Sequence, residues 1–166
     1  MLKFEDFKTN RLPMKKLLLI LFCLPLIGFG QTERHKEYDA YGKLYEGNLK
    51  NKKQDGVWKL YYENGQVKQE ENWKDGYYEG LWKYFNENGQ IMREVNYKDG
   101  EDDGLHRSWY ENGQLEMEEN YKDGALDGLW KLYYKNGQLQ LEQNWKDGIF
   151  INSKCWDKEG NKIKCE

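Results

Sequence analysis

The dipeptide Asn-Gly occurs at Asn64-Gly65, Asn88-Gly89, Asn112-Gly113 and Asn136-Gly137, each 24 residues after the last. Lys-Asp-Gly keeps the same step at Lys74-Asp75-Gly76, Lys98-Asp99-Gly100, Lys122-Asp123-Gly124 and Lys146-Asp147-Gly148. A further glycine recurs at Gly56, Gly80, Gly104 and Gly128. Between these marks the unit reads Gly-aliphatic-Trp-Lys-x-aromatic-x-x-Asn-Gly-Gln-aliphatic-x-x-Glu-x-Asn-aromatic-Lys-Asp-Gly. Four copies without an insertion define a repeat protein, so any fold for this chain must be built within 24 residues and then stacked.

The chemistry of the unit selects strands. Asn-Gly and Asp-Gly supply the positive φ values that tight hairpin turns require. The segments between turns, 57–62 and 66–73 in the first copy, are short and aromatic-rich, which suits strands. Two turns in every unit leave no run long enough for a helix. Each repeat therefore reads as a β-hairpin joined to the next by its Lys-Asp-Gly loop. The expected fold is all-β: an elongated antiparallel meander of stacked hairpins in a single twisted sheet, solenoid-like in that each hairpin pairs only with its neighbours.

The sequence leaves the hairpin register open. A two-residue Asn-Gly turn sets Lys59 opposite Glu70, Lys83 opposite Glu94, Arg107 opposite Glu118 and Lys131 opposite Glu142. A three-residue turn centred on the Asn sets Tyr61 opposite Val67, Phe85 opposite Ile91, Trp109 opposite Leu115 and Tyr133 opposite Leu139. Each kind of cross-strand pair contributes roughly 0.2–1 kcal/mol, so magnitude does not choose between them.

Both ends break the pattern, as terminal units do. Tyr45 to Gly56 is a half repeat with a looser turn, and the repeats as a whole cover 41–148. The segment 149–166 is a closing hairpin without the Trp-Lys-x-aromatic stretch; both ends suit the task of blunting exposed sheet edges. Residues 31–40 show no pattern and read as a flexible lead-in.

The first 30 residues differ in kind. Met14-Lys15-Lys16 precedes an apolar run from Leu17 to Phe29, with Gly28 and Gly30 at the −3 and −1 positions of a cut after Gly30. A basic start, a short apolar run and small residues at the cut describe a secretory signal peptide. The run falls short of the ~20 residues of a membrane span. Residues 1–13 read as an upstream extension, and bulky Phe22 before Cys23 argues against a lipid anchor. The expected location is the periplasm, cell envelope or extracellular space. The leader removes five basic and two acidic residues from totals of 26 and 29, taking the net charge from −3 to −6. That balance argues against nucleic acid and anionic membrane as main partners.

Cys155 and Cys165 remain beyond the leader. An exported chain meets oxidising conditions, so a disulfide across this short hairpin is expected. A metal site would need further soft ligands nearby, and the sequence offers none there.

Tyr45-Glu46-Gly47-Asn48-Leu49-Lys50-Asn51 resembles the Tyr-Glu-Gly opening of the MORN repeat, and Gly-x-Trp followed by Tyr-x-x-Asn-Gly resembles its bacterial variant, found in YwqK-type antitoxins. The resemblance covers roughly residues 41–148. It implies stacked hairpins in an elongated sheet that serves as an interaction surface for proteins or membranes, and it brings no catalytic residues with it.

Other chemistry is thinly supplied. His106 sits where the other copies carry Trp58, Trp82 and Trp130, and reads as a drifted packing position. Glu70, Glu94, Glu118 and Glu142 are four equivalent carboxylates, whereas catalytic acids work as one pair with separated pKa values. Asp99 to Gly104 resembles the start of a calcium loop, but Tyr110 stands where an EF-hand needs its bidentate Glu. No catalytic residue, metal or cofactor is expected, and the chain reads as non-enzymatic.

The aromatic columns are the candidate site. Mean hydropathy is −1.09 and 33% of residues are charged, values that alone describe a disordered chain. The 7 Trp, 13 Tyr and 6 Phe say otherwise, because they recur at fixed positions. One column is Trp58, Trp82, Trp130; a second is Tyr61, Phe85, Trp109, Tyr133; a third is Trp73, Tyr97, Tyr121, Trp145. A one-layer sheet cannot bury both faces, so some rings stay exposed. The first two columns are the proposed binding surface, with sheet packing, a protein interface and sugar stacking open to them. The function expected is a protein–protein interaction module, antitoxin- or immunity-like; the alternative is an envelope glycan binder.

Overall fold

The computed structural model describes residues 32–38 and 44–165, so the leader at 1–30 lies outside the described residues. The strands are β1 (Thr32–Tyr38), β2 (Leu44–Lys50), β3 (Lys53–Tyr61), β4 (Val67–Lys74), β5 (Tyr77–Tyr78), β6 (Gly80–Phe85), β7 (Ile91–Lys98) and β8 (Glu101–Asp102). They continue with β9 (Gly104–Trp109), β10 (Leu115–Lys122), β11 (Ala125–Leu126), β12 (Gly128–Tyr133), β13 (Leu139–Lys146), β14 (Ile149–Trp156) and β15 (Lys162–Ile163). All belong to one antiparallel sheet whose spatial order follows the chain, with β5, β8 and β11 as short extensions on β4, β7 and β10. No helix occurs among the described residues.

Within the lead-in, Thr32–Tyr38 forms a paired strand despite its lack of pattern. β1 pairs with β2 without a break, from Thr32↔Lys50 to Tyr38↔Leu44. Lys36 Nζ reaches Glu46 Oε2 at 2.6 Å, and the His35 ring lies 5.8 Å from Trp58. Without β1, β2 would be a free edge of unpaired backbone amides and carbonyls. A polar strand can fill that role without carrying the aromatic pattern.

Both candidate registers are realised in the same hairpin. Lys59 faces Glu70 and Leu60 faces Gln69, yet Tyr61 faces Val67. The shift is a β-bulge that leaves Lys68 as the extra residue. The same bulge places Lys83 opposite Glu94 and Phe85 opposite Ile91, Arg107 opposite Glu118 and Trp109 opposite Leu115, and Lys131 opposite Glu142 and Tyr133 opposite Leu139. Turn chemistry explains it. Only the glycine of Asn-Gly takes positive φ (Gly65, +83°); the Asn instead accepts from Gln66 N through Asn64 Oδ1 at 2.9 Å. Tyr62 N donates to Gln66 O and Gly65 N to Tyr62 O, giving a three-residue loop of the type that carries a bulge. Asp-Gly behaves as expected: Asp75 (φ 49°) and Gly76 (φ 85°) are both left-handed, the requirement of a two-residue turn.

After each of the first three Asp-Gly turns the outgoing strand carries two extra residues, and after the fourth only one. Trp73 pairs with Tyr78, but Glu70 pairs with Lys83. Asn72 closes the gap: its main-chain oxygen accepts from Glu79 N at 2.9 Å and from Trp82 Nε1 at 2.9 Å, and its side-chain amide donates to Leu81 O. Asn96 holds the next junction in the same way, with the His106 ring in place of the indole, and Asn120 holds the third through Asp127 N and Leu129 O without the ring contact.

The turns also grip one another. The amide of each turn aspartate donates to a carboxylate 20 residues earlier: Asp75 N to Asp55 Oδ2, Asp99 N to Glu79 Oε2, Asp123 N to Asp103 Oδ2 and Asp147 N to Asp127 Oδ2, at 3.1–3.4 Å. Asp103 is thereby occupied within the acidic loop that resembles a calcium site.

Candidate interaction surface

Strand alternation sorts the columns onto two faces. Trp58 pairs with Glu71 and Gly56 with Trp73, so the first and third columns share a face. There they interleave, with ring centroids 5.5 Å apart for Trp73–Trp82, 5.2 Å for Trp82–Tyr97 and 4.5 Å for His106–Tyr121. Aromatic pairs in such geometries contribute about 0.5–1.5 kcal/mol beyond area burial. Trp58 is 1% exposed and Trp82 4%. Both therefore leave the proposed binding surface and become the packed centre of a sheet that has no second layer among the described residues. Trp130, half-buried, follows the same column but donates to Glu119 Oε1 at 2.9 Å.

His106 belongs to that packing. It is 2% exposed, and its Nε2 lies 3.0 Å from Asn96 O, where Trp82 Nε1 meets Asn72 O. Glu71 is the other buried polar residue among the described residues, 8% exposed. It accepts from Gln69, Trp73 and Tyr45, which supplies the partners a buried carboxylate requires. Burial, followed by the hydrogen bond to Glu71, pushes the Tyr45 hydroxyl far above the usual tyrosine range.

The second column occupies the opposite face. Tyr61, Phe85, Trp109 and Tyr133 are all half-buried, each opposite an aliphatic residue, and beside them runs a charge ladder. Lys59 Nζ meets Glu70 Oε1 at 2.7 Å, Arg107 Nε meets Glu118 Oε1 at 3.1 Å, and Lys154 Nζ meets Glu142 Oε1 at 2.8 Å. Tyr61 Oη donates to Glu46 Oε1 at 2.9 Å and Tyr133 Oη to Glu118 Oε2 at 3.2 Å. The hydrogen bond from Lys36, ahead of that from Tyr61, holds the Glu46 carboxyl below its ordinary range. These ion pairs are at least partly wet, and each contributes little to stability. Their effect is to hold the aromatic strip in register between fixed charges.

A fourth column escaped the sequence reading. Tyr62 Oη donates to Phe85 O at 2.6 Å, Tyr110 Oη to Tyr133 O at 2.6 Å and Tyr134 Oη to Trp156 O at 2.9 Å. Each tyrosine clasps the next hairpin. The signal was present: the aromatic position is doubled as Tyr61-Tyr62, Trp109-Tyr110 and Tyr133-Tyr134.

The sequence profile of the MORN repeat variant matches residues 54–75, 78–99, 102–123 and 126–147, together more than half the chain. The chain belongs to the MORN repeat variant family. Each matched MORN unit ends on the aspartate of an Asp-Gly turn and contains one Asn-Gly hairpin, and the bonds of Asn72, Asn96 and Asn120 join one unit to the next. No curated relative matches the chain. MORN repeats are commonly protein- or membrane-interaction modules, and the strip of Tyr61, Phe85, Trp109 and Tyr133 is half-buried. Among the described residues no three His, Cys, Asp or Glu side chains are grouped to hold a metal ion.

The closing hairpin is covalently held, with Cys155 and Cys165 forming a disulfide whose Cα atoms are 5.3 Å apart. Next to it Ile149, Phe150 and Ile151 are 70%, 48% and 52% exposed.

Proposed function

We propose that this MORN chain is an exported, non-enzymatic module that binds a protein partner, immunity- or antitoxin-like in neutralising it, through the face carrying Tyr61, Phe85, Trp109 and Tyr133. The observation that supports this reading is the division of the faces: one buries Trp58, Trp82 and His106 among stacked rings, while the other keeps a periodic strip of half-buried rings bordered by charge. Aromatic anchors with a polar border are the composition of protein interfaces. The net acidity works against an anionic membrane. The leader and the disulfide support export.

The test is capture of envelope proteins on the immobilised mature chain. One stoichiometric partner is expected, lost on Phe85→Ala combined with Trp109→Ala and retained on Tyr77→Ala, whose ring is 60% exposed elsewhere. Capture that ignores the double substitution counts against this face.

A glycan reading has one observation in its favour. Trp109 shares a cleft with the amides of Asn86, Asn88 and Gln90, a combination suited to sugar stacking. Retention on peptidoglycan that disappears with Trp109→Ala would establish it; Trp82 is buried and cannot report on it.

A further inference from the structure

The clasp formed by Tyr62, Tyr110 and Tyr134 fails at one repeat. The equivalent position is Asn86, and no side chain among the described residues takes the corresponding place on the Trp109 carbonyl. Asn86 turns back on its own loop, where Oδ1 accepts from Gln90 N at 2.9 Å and from Asn88 N at 3.3 Å. The second link between turns differs as well. Asn64, Asn112 and Asn136 donate to Glu87 O, Lys135 O and Lys158 O at 2.9–3.0 Å. At this turn, with its amide oriented to satisfy both neighbours, Gln90 is the side chain that reaches Glu111 O, at 3.2 Å.

A cleft of about 500 Å³ opens there, between the hairpin of Asn86 and the hairpin of Trp109. Ile91, Met92 and Trp109 supply its apolar lining, and Glu87 and Glu111 stand at its mouth. Met92 is 46% exposed. The repeat itself shows what fits such a space. In the other three units a phenol ring lies between adjacent hairpins and its hydroxyl donates to the carbonyl that Trp109 offers here.

We propose that the Asn86 cleft is a docking slot for an exposed tyrosine side chain of a protein partner, flanked by basic residues that meet Glu87 and Glu111. This rests on the protein-binding reading above and assigns it one subsite. The ring takes the place a repeat tyrosine would have held, and its hydroxyl donates to Trp109 O. The acidic mouth favours Lys or Arg on either side.

The probes are the capped peptides Lys-Tyr-Lys and Lys-Phe-Lys, titrated into the full mature chain with the Trp109 indole N–H resonance as readout, assigned by Trp109→Phe. The tyrosine peptide should shift that resonance saturably. The phenylalanine peptide should bind roughly threefold to tenfold more weakly, the worth of one hydrogen bond. Asn86→Tyr should fill the slot from within, melt no lower than the parent and weaken the tyrosine peptide more than tenfold. Equal affinity for the two peptides, unchanged affinity after Asn86→Tyr, a lower melting temperature for that variant, or displacement of the peptide by a soluble peptidoglycan fragment would each overturn the assignment. Peptide binding lost with partner capture intact counts against the slot alone. Capture lost with peptide binding intact counts against the protein-module reading alone.

Discussion

His106 Nε2 and the Asn96 carbonyl, 3.0 Å apart, reproduce with an imidazole the contact that Trp82 makes to Asn72 with an indole. The smaller ring keeps the hydrogen bond and yields volume, and Tyr121 stacks over it at 4.5 Å. Truncating His106→Ala removes both the buried ring and the bond, and should cost about 2–4 kcal/mol. His106→Trp, which restores the repeat, should stay within about 1 kcal/mol of the parent. Urea denaturation midpoints check both; an Ala variant as stable as the parent would show that the junction does not need its ring.

Two glycines separate backbone strain from steric clash. Gly65 has φ +83° with nothing within 4 Å of an added Cβ, so Gly65→Ala should cost about 1–2 kcal/mol through the left-handed backbone alone. An added Cβ at Gly47 would lie 2.3 Å from the Trp58 ring. Gly47→Ala should therefore cost about 1–3 kcal/mol by overpacking and also shift tryptophan fluorescence. Only the second variant should change the emission spectrum.

Alkaline pH should unfold the sheet through its tyrosines. Burial first, and then neighbouring Tyr84 and Asp102, push Tyr97 up to about 12, whereas an unfolded tyrosine ionises near 10. The folded chain keeps this proton where the unfolded chain has lost it. Stability is therefore fully present below about pH 10 and falls as pH rises towards about 12. Tyr97→Phe should match the parent at pH 7 and unfold at a higher alkaline midpoint; identical alkaline profiles would remove Tyr97 from the cause.

Reduction should weaken the C-terminal end first. The Cys155–Cys165 bridge closes a loop of 10 residues in sequence, worth about 2–3 kcal/mol of unfolded-state entropy. Hydrogen exchange after reduction should rise in Ile149–Trp156 and leave Ile91–Lys98 unchanged. A uniform rise across the sheet would mean that the hairpins do not open separately.

The period, the all-β class and the turn positions were legible because glycine and asparagine punctuate the chain at fixed intervals. The register was not. Lys59–Glu70 and Tyr61–Val67 look mutually exclusive in one dimension, and only the bulge at Lys68 allows both. Trp58 and Trp82 looked as available as Tyr61 and Phe85, because alternation puts the two columns on opposite faces without saying which face the third column packs against. β1 was invisible for a different reason: an edge strand such as Thr32–Tyr38 needs backbone complementarity and no particular residues. The cleft at Asn86 is plain in the sequence as an aromatic missing from a column, but its meaning required knowing what the tyrosines at 62, 110 and 134 hold.

The carboxylate that caps each turn comes from the start of the same matched unit, always 20 residues back, as Asp55 does for Asp75 and Asp127 for Asp147. The turn cap is thus alike in all four units and refers to nothing outside the unit it closes. A 24-residue duplication or excision in frame would present each surviving seam with the neighbour it already has. Reach is thereby an inheritable variable separate from fold: such a chain can be lengthened or shortened against a partner of different size in whole steps, while one altered unit, such as that of Asn86, carries the individuality.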